Sequence, residues 1–177
     1  MPIINRMSDG NKELVGRFID VVVKDQAGAR ALLRKHPEVL EGRWRHDETP
    51  LHFLAVEGFE EAVRFLAGLG ANVNATNAFG DAVLIDVAVL GEDRIAAVLL
   101  EHGADPNVKS VTRDNALDVA VSAGNVRLVD LLLAAGARAD YETDLGTTIA
   151  DAIPTNPKRR GPILEILARH GIDVERA

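Results

Sequence analysis

Gly103-Ala104-Asp105-Pro106-Asn107 stands 33 residues after Gly70-Ala71-Asn72-Val73-Asn74 and 33 residues before Gly136-Ala137-Arg138-Ala139-Asp140. The three stretches share a Gly-Ala opening, and their fifth residues are Asn74, Asn107 and the related Asp140. The same step of 33 separates Gly58, Gly91 and Gly124, and again Leu51, Leu84 and Leu117. Gly80 and Gly146 stand two steps apart, with Arg113 at the midpoint. So many concordant spacings mark an internal repeat. A repeat of this length forms a stacked array in which each unit buries its apolar face on its neighbours.

Outward from those glycines, each unit reads as two short helices and a turn. Thr49 is placed to cap a helix that has Pro50 at its first position and ends at Gly58. Residues 61–69 carry Ala62, Val63, Phe65 and Leu66 on one stripe, closed by Gly70 in a left-handed conformation. Residues 71–80 are polar and rich in Asn, which predicts an extended segment with a turn at Gly80. The pattern predicts further helix pairs over 83–90 and 93–102, and over 116–123 and 126–135. The ends differ. Residues 14–24, 27–35 and 36–40 lack the Gly-Ala close and carry more charge, as suits an N-terminal cap. In the last unit, 148–153 is followed by Pro154 to Pro162, and Gly171 lies 35 residues beyond Gly136. The two extra residues read as an enlarged, basic, proline-bounded loop containing Lys158-Arg159-Arg160, soluble and mobile.

Composition narrows the function. A chain of 177 residues makes one domain or a short array. Its 20 Lys and Arg against 27 Asp and Glu leave a net charge of −7, which argues against a general nucleic-acid binder. With no Cys, disulfides, thiolate nucleophiles and Cys-based metal sites are excluded. Aromatic residues are 4%, whereas Ala fills 25 positions, a composition for packed helices rather than an all-β core. No leader-like segment or membrane-length apolar run stands out, so the expected setting is the cytoplasm.

Thr49-Pro50-Leu51-His52, followed by Gly58 and by Gly70-Ala71-Asn72-Val73-Asn74, resembles the ankyrin repeat in period and signature. Gly103-Ala104-Asp105-Pro106-Asn107 matches its second half equally well. The resemblance runs from about residue 11 to residue 175 and implies an all-α solenoid of five units, with turn or hairpin tips and two atypical caps. After a tail at 1–10, a single domain over 11–177 divides into units of about 11–43, 44–76, 77–109, 110–142 and 143–177. The sites aligned with His52 are Ile85, Asp118 and Asp151, so the signature has decayed there. By the same resemblance, His52 hydrogen-bonds backbone between adjacent units.

Catalytic patterns are missing. His102 and His170 each precede a closing glycine, where a histidine interacts with helix-end carbonyls. His36 precedes Pro37 in an exposed cap. Only His46, in the turn Trp44-Arg45-His46-Asp47-Glu48, is placed to meet a ligand. No helical pair of His ligands, phosphate loop or nucleophile elbow occurs, and neither metal nor cofactor is expected. Ser110 and Ser122 have no spacing that would join them to a His and an Asp. The clusters Glu57, Glu60, Glu61 and Asp140, Glu142, Asp144 read as solvated faces.

What remains is surface. The resemblance implies that the turn tips and the exposed side of the first helices form a concave face that binds another protein. That face comprises Arg45, His46, Glu48, Val56 and Glu57, then Ala78, Phe79, Asp81, Val89 and Leu90. It continues through Val111, Thr112, Asp114, Ser122 and Ala123 to Asp144, Leu145 and Thr147. A solvated surface is polar, yet Phe79, Val89, Leu90, Val111 and Leu145 are not, and an apolar patch rimmed by charge marks an interaction site. The reading is a monomeric, non-catalytic protein-binding module that engages neither nucleic acid nor membrane. Its alternatives are an inhibitor or immunity-type protein that blocks one enzyme, or an enzyme or stress-protection protein on the same scaffold.

Overall fold

The computed structural model describes residues 9–110, 115–140 and 148–174. Ten α-helices follow one another in these residues: α1 (Asp9–Lys24), α2 (Gln26–Lys35), α3 (Pro50–Val56), α4 (Glu60–Gly68), α5 (Val83–Leu90), α6 (Asp93–Glu101), α7 (Ala116–Ala123), α8 (Val126–Ala134), α9 (Ile149–Ala152) and α10 (Pro157–Arg169). The first helices α3, α5, α7 and α9 stack in one layer, and the second helices α4, α6, α8 and α10 stack in another. This is the expected all-α solenoid. Among the described residues, no helix is long and apolar enough to cross a membrane.

The boundaries follow from local chemistry. Thr49 caps α3 by accepting the His52 backbone N–H at 3.2 Å, with Pro50 in the first turn. Asn115 does the same for α7 through the Asp118 N–H at 2.9 Å, and Asn125 for α8 through the Leu128 N–H at 3.1 Å. At the end of α6, Gly103 turns left-handed with φ 87°, and the Ala104 N–H reaches back to the Leu99 carbonyl at 2.9 Å. That six-to-one bond satisfies a carbonyl the helix leaves open.

Packing repeats with the period. Leu66, Leu99 and Leu132 are fully buried, as are Leu54, Val87 and Ala120, so one apolar core runs the length of the stack. A fully buried leucine contributes roughly 1.5–3 kcal/mol. The repeated asparagines join the units. Asn74 accepts the Asp105 N–H at 2.8 Å and donates to the Gly103 carbonyl at 3.1 Å. Asn107 bonds the Arg138 N–H and the Gly136 carbonyl at the same two distances. At the equivalent place in the first unit, Glu41 accepts the Asn72 N–H at 2.8 Å. Asp140 instead pairs with Arg138 at 3.0 Å.

Two expectations need correction. Lys158, Arg159 and Arg160 lie in α10, not in a loop, because Asn156 caps that helix by accepting the Lys158 N–H at 3.0 Å and Pro157 fits its first position. Arg159 also lies along the Gly124 turn of the preceding unit, within about 3.0 Å of where a Cβ on that glycine would sit. His52 does not bond backbone across the units. Its ring is fully buried and its Nε2 meets the Asp86 carboxylate at 2.9 Å. His102 and His170 are structural: Nδ1 of His102 donates to the Val98 carbonyl at 2.9 Å, and Nε2 of His170 meets Asp130 at 2.7 Å.

Candidate protein-docking face

Helix α5 reads Val83-Leu84-Ile85-Asp86-Val87-Ala88-Val89-Leu90, apolar on every side except at Asp86. A helix apolar all round is normally buried all round. Here Val83, Leu84, Ile85, Val87 and Ala88 fill the core, yet Val89 is 47% exposed and Leu90 52%. The core does not require those two side chains. They end α5 immediately before Gly91, whose left-handed turn (φ 73°) leads the chain away and leaves the last turn open.

The neighbouring tips build a wall beside them. Asn77 closes a turn around Gly80 by accepting the N–H groups of Phe79 at 2.9 Å and Asp81 at 3.1 Å. Phe79 is thereby held outward, 59% exposed. In the preceding unit, His46 and Asp47 adopt left-handed φ values of 49° and 59°. Asp47 occupies the place that Gly80 fills one unit later, and an L residue there costs about 1 kcal/mol. Arg43 offsets that cost by donating to the Asp47 carbonyl at 2.8 Å and the Thr76 carbonyl at 2.7 Å, which ties tip to tip. The Ala78 N–H adds a bond to the His46 carbonyl at 2.8 Å. The His46 and Phe79 rings, one repeat apart, stack with centroids 6.2 Å apart and planes at 28°.

Between tips and helices lies an open cavity of about 410 Å³. Val56, Phe79, Val89 and Leu90 supply its apolar walls; His46, Glu48, Asn77, Asp81 and Asp86 supply its polar ones. Asp86 accepts from Asn77 Nδ2 at 3.0 Å as well as meeting His52, and Asp81 accepts from the Ser110 hydroxyl. Nδ1 of His52 has no hydrogen-bond partner among the described residues. Glu48 is different from the two aspartates. Its residue is only 9% exposed, and its carboxylate makes no hydrogen bond among the described residues. Burial pushes its pKa above the ordinary value, against the pull of His52 and His46.

The cavity gathers seven residues that the sequence placed on the docking face: His46, Glu48, Val56, Phe79, Asp81, Val89 and Leu90. Others lie outside it. The Arg45 guanidinium sits over the Trp44 ring at 4.6 Å, while Glu57, Ala78, Ser122 and Ala123 are exposed around the face. Val111, Thr112, Asp114, Asp144, Leu145 and Thr147 fall outside the described residues. Sequence reasoning missed Asn77 and Asp86. The first was signalled by Asn77-Ala78-Phe79-Gly80, an Asx-turn pattern, and the second by a lone carboxylate in an apolar helix.

A family model for ankyrin repeats (three copies) matches residues 8–110 and 52–144. The chain is 38% identical over 98 residues to cyclin-dependent kinase inhibitor 2A of Monodelphis domestica, covering 55% of this chain and 57% of that protein. It is 33% identical over 145 residues to an ankyrin repeat-containing protein of Treponema pallidum (strain Nichols), covering 81% and 43%. It is 33% identical over 92 residues to the nuclear factor NF-kappa-B p105 subunit of Gallus gallus, covering 50% and 9%. The chain thus spans less than two thirds of the length of each of these curated relatives.

Proposed function

The chain belongs to the ankyrin-repeat family, and on that premise we propose that it is a monomeric, non-catalytic module that docks one partner protein on the face formed by the tips and the ends of α3 and α5. Ankyrin repeats generally mediate protein–protein interaction. The observation that carries the reading is the exposure of Phe79, Val89 and Leu90 around one cavity, although the core beneath is already full. Contiguous apolar side chains of this size are left in water where they serve as anchors for a partner. Asn77, Asp81 and Asp86 beside them are hydrogen-bonded within the scaffold, which supports binding rather than catalysis.

The test is a double variant, Phe79→Ala with Leu90→Ala, titrated against the partner recovered from the source organism and identified by mass spectrometry. Loss of such anchors typically costs about 2 kcal/mol or more, roughly thirtyfold in affinity. Each side chain is more than half exposed, so the unfolding midpoint should drop by only a few degrees. Unimpaired binding moves the docking face elsewhere. Collapse of the helical signal would assign both side chains to the core. The similarity to a kinase inhibitor favours, as a second reading, a module that silences the enzyme it docks on. A recovered partner whose own activity is unchanged by saturating amounts of the chain would exclude that.

A further inference from the structure

Resting on that docking face, we propose that its cavity accepts an arginine side chain of the partner, flanked by an apolar residue that packs on Phe79 and Leu90. Three carboxylates, from Glu48, Asp81 and Asp86, line one small space whose other walls are apolar. Asp81 and Asp86 are engaged by Ser110, His52 and Asn77, so their roles are partly structural. Glu48 has no such role. Its residue is 9% exposed beside the cavity, while its carboxylate keeps some contact with solvent, makes no hydrogen bond among the described residues and has its charge disfavoured by partial burial.

A carboxylate that is partly desolvated and free of protein hydrogen bonds gains a charge-assisted hydrogen bond from a cation brought to it. The shape selects among cations. The Phe79 ring, stacked on His46, adds an aromatic surface to the cavity lining. A guanidinium is planar, stacks on aromatic faces and is more weakly hydrated than an ammonium, so it enters a half-apolar pocket at lower cost than lysine. A volume of about 410 Å³ lies within the range of built ligand pockets, roughly 300–1,000 Å³. The net charge of −7 steers a basic segment toward the chain.

The test selects peptides of random sequence on the intact chain and then titrates them. The expected result is enrichment of arginine beside Leu, Ile, Val or Met. Replacing that arginine with glutamine should weaken binding about tenfold or more to the wild type, but hardly at all to the Glu48→Gln chain. Retained thermal stability of that variant shows that it is folded. Lysine in place of arginine should restore only part of the affinity. The proposal is overturned if no peptide is enriched, if the enriched peptides lack a basic residue, or if Glu48→Gln binds them as the wild type does. Peptides that lose binding on Phe79→Ala with Leu90→Ala but not on Glu48→Gln overturn this inference and keep the docking face. Indifference to both variants overturns the two together. Concentration-dependent dimers abolished by Phe79→Ala with Leu90→Ala, with no peptide enriched, would make a second copy of the chain the occupant and overturn it too.

Discussion

Two glycines in neighbouring units should answer an identical substitution with opposite signs. Gly68 ends α4 in helical geometry, and Gly103 follows α6 with φ 87°. A Cβ built on either would meet no atom within 4 Å, so neither alanine variant suffers a clash. The backbone alone sets the outcome. At Gly68, alanine removes freedom from the unfolded chain and suits the helix, a gain of about 0.5 kcal/mol at a helix end. At Gly103, an L side chain in the left-handed region costs about 1 kcal/mol net. For a chain of this size, 1 kcal/mol moves the thermal midpoint by about 2–4 °C. Gly68→Ala should therefore rise by about 1–2 °C and Gly103→Ala fall by about 2–4 °C. The assay is far-ultraviolet circular dichroism during heating, with both variants run beside the wild type. The two glycines lie in stacked neighbouring units, so the same transition reports both. Shifts of the same sign, or no separation, would refute the assignment of the Gly-Ala step to helix closure.

Glu48→Gln should stabilise the fold in a pH-dependent way. Burial holds the folded carboxyl above its ordinary value of 4.5, so between that value and the raised one the folded chain binds more protons than the unfolded chain. Stability therefore falls as pH rises through this window, and the cost is complete above it. The midpoint gain of Glu48→Gln should accordingly be near zero at about pH 4 and largest at about pH 8; a gain independent of pH would count against a buried charge. Asn107→Ala removes two bonds between units, worth about 1–2 kcal/mol together at an exposed site. Asn107→Asp, which keeps the acceptor and loses the donor, should fall between it and the wild type in urea unfolding. Equal midpoints for all three chains would show that the asparagine column is not what joins the units.

The helices of the middle units, the cap at Thr49 and the left-handed glycines were determined by the sequence itself, because each rests on a rule that acts within a few residues. A Cβ is excluded or allowed by its own φ, and an amphipathic stripe needs only its own spacing. Tertiary structure decided what lies between units. That Asn74 bonds the Gly103 carbonyl, that His52 meets Asp86 rather than backbone, and that the Ala78 N–H joins the His46 carbonyl all depend on groups 29 to 34 residues apart. Likewise, α10 takes in Lys158-Arg159-Arg160 because capping by Asn156 outweighs the signal of Pro162. The site shows the divide most clearly in Glu48. In sequence it is one of several acidic residues in a turn. Only stacking of the next unit buries it beside His52 and Asp86, and burial, which is set by neighbours through space, changes what a carboxylate can do.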